Sequence, residues 1–325
     1  MSQVQQQTNP ANHSNILAVV GELLDSGAVS QAQIARESGV ASGTISQVLG
    51  GKYKADPAAV LDKLEKWTHA YEARAAIMNN DAYAQLGGWF RTFSAGRIYD
   101  ALTIAQGTND MTAIYTAPGV GKTHTAKHYQ KQNNNVWLVE LSPDCKKPRA
   151  LLEEIAFAMG IQNPHHTPSG LRRQIELEMK NTNGLLIIDE AQYAEADGFE
   201  ALRRLYDRTG CGVALMGNML VYSKLYGGNT QRSQLDAAQR YSRIGPKVKI
   251  NQCAERDIAA LLNHWDIQDK PVRDLLAAIS AKPGGLRSVE KVLRQALLLT
   301  PDKALAQFNE KEIKAAWALH GGMEE

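Results

Sequence analysis

The chain has 325 residues, of which 44% are hydrophobic and 22% are charged, and this composition excludes a protein that is disordered throughout. Its 36 Lys and Arg residues oppose 34 Asp and Glu residues, so any contact with nucleic acid must come from local clusters of cations. Because long apolar runs are missing, we expect no membrane span and no secretory signal. Because the three cysteines are widely spaced, we expect no disulfide framework and no zinc site, which favours a cytoplasmic protein.

The first part of the chain predicts a helical domain. Residues 1–14 are rich in Gln, Asn and Ser and are expected to form a disordered tail. Residues 15–78 carry apolar side chains at helical spacing and show no strand pattern. Within them, the segment 31–49 has the pattern of a helix-turn-helix, with Gly39 at its turn. We therefore predict an all-α helix-turn-helix domain over residues 15–78 and a linker over residues 79–88.

The second helix of that motif is the candidate DNA reader, since such a helix enters the major groove. The residues expected to contact DNA here are Ser42, Thr44, Gln47, Lys52 and Lys54. Across residues 31–54 three cations oppose one acid, and the outward side chains are small and neutral. A helical module that contacts protein instead of DNA therefore remains an open alternative.

From residue 89 onward, short β-rich runs alternate with helical patterns. The runs cover residues 112–116, 135–141, 184–190, 212–218 and 247–250. Strands separated by helices predict a parallel sheet flanked by helices, so the fold class is α/β. We place this core at residues 89–250, with a flexible loop at 227–232, and an all-α lid at residues 251–325.

The strongest motif is the phosphate-binding loop of residues 116–123, TAPGVGKT, between a strand and a helix. Lys122 should reach the β- and γ-phosphates of ATP, and the hydroxyl of Thr123 should hold Mg²⁺. Thr116 stands where the pattern has its first glycine. The predicted nucleotide-binding residues are Pro118, Gly119, Val120, Gly121, Lys122, Thr123, His124 and Asp189.

Three further elements follow the loop in order. Asp189 and Glu190 end a buried strand, where Asp189 should hold Mg²⁺ and Glu190 should activate the attacking water. Asn218 ends the next strand and either senses the γ-phosphate or caps a helix. Arg243 and Arg287 are candidates for stabilising transition-state charge. The predicted catalytic residues are thus Glu190, Asn218, Arg243 and Arg287.

Cationic and imidazole side chains lie in the loops after the second strand and on the helix that follows. They are Lys146, Lys147, Arg149, His165, His166, Arg172 and Arg173. Such loops can face nucleic acid in assembled ATPases, and we predict DNA contacts there. A solvated surface is the alternative for each of them, because exposed Lys and Arg are common.

The order of these elements resembles that of AAA+ ATPases. The phrases NNNVWLVELSPDC, LLIIDEA, LMGNMLVYSKLYGGN, YSRI and KPGGLR further resemble the phage Mu transposition protein B family. The resemblance implies an ATPase that uses ATP and Mg²⁺, assembles as a helical filament on double-stranded target DNA and stimulates a transposase. It also implies little sequence preference. A helicase-loader-type ATPase and an ATP-switched transcription regulator remain as rival interpretations.

Overall fold

The computed structural model describes residues 10–78, 81–226 and 243–321, and it divides between residues 84 and 85 into two compact units. The predicted loop 227–232 lies outside the described residues. Among the described helices, none combines the length and apolar character needed to cross a membrane.

The first unit consists of helices. They are α1 (Pro10–Asp25), α2 (Gln31–Ser38), α3 (Ser42–Leu49) and α4 (Ala58–Met78). Helix α2 begins after Ser30, whose side chain accepts a hydrogen bond from the Gln33 amide. It ends at Gly39, whose φ of 68° is the left-handed conformation that glycine adopts without penalty. The side chains buried between these helices are Ile16, Val20, Val29, Ile34, Val40, Ile45, Leu64 and Trp67.

The carboxylate of Glu37 in α2 forms hydrogen bonds to side chains of α4. Glu37 accepts hydrogen bonds from Gln33, from Trp67 Nε1 at 2.9 Å and from Arg74 at 2.7 Å. These three donors, the Gln33 amide foremost, lower the pKa of Glu37 to about 2. The exposed residues of α3 include Ser42, Ser46 and Gln47, while Ile45 and Val48 point into the core. The DNA-reading role of α3 stays a prediction.

Two expectations about this part of the chain were wrong in detail. Helix α1 begins at Pro10, inside the predicted tail, although residues 1–9 lie outside the described residues. Helix α5 (Asp81–Gly87) occupies most of the predicted linker. It forms because Ala82 and Leu86, four residues apart, lie on one helical face and are both buried.

The second unit is built on five parallel strands, as the sequence predicts. They are β1 (Met111–Thr116), β2 (Val136–Glu140), β3 (Leu185–Asp189), β4 (Gly212–Gly217) and β5 (Ile244–Ile250). Their spatial order is β2-β3-β4-β1-β5, and β1, β3 and β4 are buried along their whole length. Near-continuous apolar runs fit these positions because both faces of the sheet are covered.

Helices cover both faces of the sheet. One face carries α6 (Phe93–Gly107) and α7 (Lys122–Gln132). The other carries α8 (Pro148–Ala158), α9 (Pro168–Met179) and α10 (Ala196–Thr209), and α11 (Met219–Tyr226) follows β4. This arrangement confirms the predicted α/β core with flanking helices.

After β5 the chain is helical. The helices are α12 (Glu255–His264), α13 (Lys270–Ala281), α14 (Gly285–Leu299) and α15 (Glu310–Leu319). Short 3₁₀ turns cover Pro143–Lys146, Ala191–Tyr193 and Leu305–Gln307. We call helices α12 to α15 the lid. It contacts α6 through the buried carboxylate of Asp257, which accepts hydrogen bonds from the amide and hydroxyl of Ser94 at 2.8 and 2.5 Å.

Candidate nucleotide-binding site

The glycine-rich loop connects β1 to α7 at the carboxyl end of the sheet. Gly119 and Gly121 have φ values of 78° and 87°, a conformation that side chains disfavour. Thr116 is the last residue of β1 and is buried, with no positive φ, so the missing first glycine is tolerated there. The loop ends at the first turn of α7, where free backbone N–H groups favour an anion.

Asp189, the last residue of β3, and Glu190, which follows it, meet the first two residues of α7. Lys122 Nζ donates to Asp189 Oδ1 and, at 3.1 Å, to Glu190 Oε1. Thr123 Oγ1 donates to Asp189 Oδ2 at 2.5 Å. The side chain of Asp189 is fully buried, whereas that of Glu190 is 33% exposed toward the cleft. The structure therefore brings together the four residues that the two motifs predicted separately.

Glu190 stands on an unusual backbone. Its φ of 54° is left-handed, and its amide donates to Asp189 Oδ1 at 2.8 Å. Non-glycine residues are uncommon in this conformation, and strain of this kind concentrates at functional sites. The turn Ala191–Tyr193 follows, and the amide of Gln192 donates to Glu190 Oε2. Sequence reasoning singled out Glu190 but missed Gln192, because nothing in the pattern shows where that side chain points.

Asn218 lies at the cleft and also caps a helix, while its role toward the γ-phosphate stays a prediction. Its side chain lines the cleft. Its Oδ1 also accepts a hydrogen bond from the Leu220 amide at 2.8 Å, which caps the start of α11. The cap fixes the side chain at the carboxyl end of β4, next to the strand that carries Glu190.

The two arginines lie at opposite ends of the sheet. Arg287, near the start of α14, lines the cleft. Arg243 precedes β5, whose first residue pairs with the start of β1, so it lies at the amino end of the sheet. There its guanidinium contacts Asp207 at 3.1 Å. Six residues of β1 separate it from the glycine-rich loop, about 17–20 Å at the rise of a strand.

The lid closes one side of the cleft. Gly119 accepts a hydrogen bond from the Leu286 amide at 3.0 Å, and the cleft lies between this contact and α7. Apolar and aromatic side chains, some of them from the lid, form one wall of the cleft. They are Leu86, Trp89, Phe90, Leu261 and Trp265. Such a wall suits a flat heterocycle, while the loop suits phosphates.

Aromatic contacts hold this wall in place. Trp89 stacks on His128 with ring centroids 3.9 Å apart, and its indole N–H donates to Thr125 at 3.3 Å. Phe90 stacks on His264 of the lid at 4.3 Å. Sequence reasoning missed both aromatic residues, although the pair directly follows Gly87 and Gly88 and marks the end of the predicted linker.

His124 was predicted to bind nucleotide and lines the cleft. Burial of the imidazole lowers the pKa of His124, while the nearby carboxylate of Glu290 acts in the opposite direction.

The residues predicted to contact DNA are mostly exposed, and two of the arginines pair with glutamates. Arg149 donates to Glu153 at 2.8 Å and to the carbonyl of His166, and Arg172 pairs with Glu176 at 3.2 Å. The remaining side chains of the group are exposed. They are Lys146, Lys147, His165, His166 and Arg173. Lys52 and Lys54 are exposed in the first unit.

Comparison with known proteins agrees with this geometry. An AAA domain model matches residues 105–225, and a model of the C-terminal part of the Mu B transposition protein matches residues 242–319. The chain is 33% identical over 306 residues to the ATP-dependent target DNA activator B of Escherichia phage Mu, covering 94% of this chain and 95% of that protein. It is 32% identical over 260 residues to the Mu-like prophage FluMu DNA transposition protein B of Haemophilus influenzae, covering 80% and 88%.

Among solved structures, the Aeropyrum pernix Orc1 protein in complex with DNA aligns with a TM-score of 0.51 at 16% identity. The alignment covers 76% of this chain and 69% of that one. At this identity the likeness shows the fold alone. The AAA domain match over residues 105–225 lies within the second unit.

Proposed function

The chain belongs to the Mu B transposition protein family, and from this premise we propose that it is an ATP-dependent activator that binds target DNA for transposition. It is an ATPase of the AAA+ type. The observation that carries the proposal is the meeting of Lys122, Thr123, Asp189 and Glu190 beside the glycine-rich loop, in a chain alike to the phage Mu protein over 94% of its length.

Nucleotide binding would exchange one partner of Lys122 for another. In the structure its ammonium forms ion pairs with two carboxylates. With ATP in the cleft, the ammonium would reach the β- and γ-phosphates, and the amides at the start of α7 would bind the phosphate oxygens. The aromatic wall formed by Trp89, Phe90 and Trp265 would receive the adenine.

The hydroxyl of Thr123 and the carboxylate of Asp189 fit a magnesium ion, because both are hard oxygen donors and lie 2.5 Å apart. When bound, Mg²⁺ would neutralise charge on the phosphates. Among the residues that the structure describes, no group of three or more His, Cys, Asp or Glu side chains is placed to hold a metal by itself. Two protein oxygens plus substrate phosphates is the coordination that Mg²⁺ commonly has in nucleotide sites.

Hydrolysis requires a base and a countercharge. Glu190, released by Lys122, would take the proton of the attacking water, while Asn218 and Arg287 would face the γ-phosphate from β4 and from the lid. Arg243 lies too far from its own cleft to contribute there. It would instead enter the cleft of a neighbouring subunit, so the complete site would require a homo-oligomer on DNA.

DNA would be held mainly through its backbone. The exposed cations Lys146, Lys147 and Arg173, with Lys52 and Lys54 of the first unit, are suited to phosphates. The transposase would then engage the DNA-bound assembly, and ATP hydrolysis would release the DNA.

The test compares DNA binding in ATP and in ADP over a range of salt concentrations. We expect ATP-dependent filaments, seen by electron microscopy, with little sequence preference. Each phosphate contact on duplex DNA should contribute about −0.9 to the slope of log affinity against log salt. A flat salt response together with a single preferred site would favour the transcription regulator, and failure to stimulate a transposase would refute the activator role.

A further inference from the structure

We infer that Gln192 is a positioning residue that fixes the carboxylate of Glu190 for ATP hydrolysis. The inference rests on the proposed role of Glu190 as general base. Gln192 lies in the turn directly after Glu190, its side chain is 7% exposed, and it does not line the cleft. It can therefore act on the reaction only through its neighbours.

The amide of Gln192 connects two functional elements. Its Nε2 donates to Glu190 Oε2, and its Oε1 accepts from the backbone amide of Asn218 at 3.3 Å. The orientation of the amide is determined by these partners. Turning it over would set its NH₂ against an N–H group and its oxygen against a carboxylate. Gln192 thus links the base on β3 to the end of β4.

The site of this amide is closely packed. A Cβ atom at Gly217 would lie 2.2 Å from Gln192 Oε1 and 2.6 Å from Val221, so glycine leaves the room that the amide occupies. The backbone of the turn is also held in place. Lys224 of α11 donates to the carbonyl of Gln192 and, at 2.9 Å, to that of Ala194.

These contacts leave one carboxylate oxygen of Glu190 to accept a proton. Lys122 contacts Oε1 of Glu190, and Gln192 contacts Oε2. Once the ammonium of Lys122 turns to the phosphates of ATP, Oε1 is free to accept a proton from water, while Oε2 remains bound to the amide. Without Gln192, the carboxylate would rotate, and misplacement of a reacting group by about 1 Å can cost roughly 100-fold in rate.

The first test uses two substitutions that separate the two hydrogen bonds. Gln192→Met keeps the length of the side chain and removes both bonds. Gln192→Glu keeps an acceptor for the Asn218 amide but replaces the donor to Glu190 with a like charge. We expect both variants to lose ~10- to 100-fold in kcat, with KM and the Kd of ATP within about threefold of wild type.

The matched control is Gln106→Met. Gln106 is half-buried and likewise joins two elements, since it accepts from Tyr129 at 2.9 Å and donates to the carbonyl of Asn134 at 3.0 Å. It lies away from the cleft, so its loss should lower stability without lowering kcat. If Gln192→Met fails to fold, Gln192→Glu decides the question, with ATP binding as the check that the cleft is intact.

The second test is a double-mutant cycle with Glu190→Gln, followed by single-turnover hydrolysis. If Gln192 acts through Glu190, then Gln192→Met lowers the rate in wild type but adds little to Glu190→Gln. Equal loss in both backgrounds, or a normal kcat in Gln192→Glu, would overturn the inference. A wild-type rate in Glu190→Gln alone would instead refute the proposed base.

Discussion

The backbone of Gly119 packs closely against that of Gly284 at the nucleotide site. A Cβ atom at Gly119 would lie 1.8 Å from the carbonyl oxygen of Gly284 and 2.4 Å from its carbonyl carbon. The atoms it meets belong to the backbone of the lid, which cannot rotate away as a side chain can. Gly119→Ala should therefore separate the glycine-rich loop from the lid and break the hydrogen bond from Leu286.

The loss of folding free energy in Gly119→Ala has two parts. A left-handed backbone costs a non-glycine residue about 1–2 kcal/mol, and overpacking adds about 1–3 kcal/mol. Gly121→Ala supplies the first part alone, because Gly121 has a φ of 87° and no atom within 4 Å of the added carbon. Gly210→Ala, with a φ of 66° and equally open space, is a second control outside the loop.

The assay is unfolding of the nucleotide-free protein by heat or denaturant. A difference of about 1–3 kcal/mol between Gly119→Ala and Gly121→Ala corresponds to ~2–12 °C in Tm for a domain of this size. The two controls should agree with each other. If Gly119→Ala is as stable as Gly121→Ala, the loop and the lid are not in contact in the nucleotide-free protein.

Four further outcomes are expected. Lys122→Ala abolishes ATP-dependent assembly on DNA, because no other loop cation serves the phosphates; assembly at normal ATP concentration would exclude the loop from the mechanism. Glu190→Gln still binds ATP but turns it over ~10²–10⁴-fold more slowly, and its DNA complexes outlast those of wild type in ATP. Arg243→Ala binds ATP, hydrolyses it slowly and assembles poorly. Mixing this variant with Glu190→Gln should restore ATPase activity. If the two variants co-assemble without activity, Arg240, which lies outside the described residues, or a site within one subunit must supply the charge. Glu37→Gln removes part of the acid sensitivity of the first unit. The folded pKa of Glu37, about 2, lies below the ordinary 4.5, so its carboxylate stabilises the folded unit above pH 4.5 and this contribution is lost as the pH falls toward 2. Acid titration followed by circular dichroism checks this.

The nucleotide loop and the acidic strand could be predicted because their chemistry is local. Residues 118–123 combine strand, turn and helix start in one segment, and Asp189 and Glu190 directly follow four buried apolar residues. All five strands were likewise predicted to within a few residues, since each is a short apolar run between helical patterns.

Other parts depend on contacts that no local pattern shows. The segment from Asp81 to Gly87 has Asn and Gly at its borders, which suggested a linker, yet burial of Ala82 and Leu86 makes it a helix. Trp89 belongs to the cleft only because the fold sets its ring against His128. Gln192 gains its role from a partner 26 residues away, Asn218.

Arg243 and the glycine-rich loop lie at opposite ends of β1 and β5, so the core has two unlike faces. If one face completes the other in the next copy, the contact is head-to-tail, and a rotation that does not close produces an open polymer with direction. One end of that polymer would always carry a cleft without its arginine. The subunit at that end would hold ATP after its neighbours had hydrolysed theirs. Subunits would therefore dissociate at different rates from the two ends. A short assembly would also keep a larger fraction of its ATP than a long one.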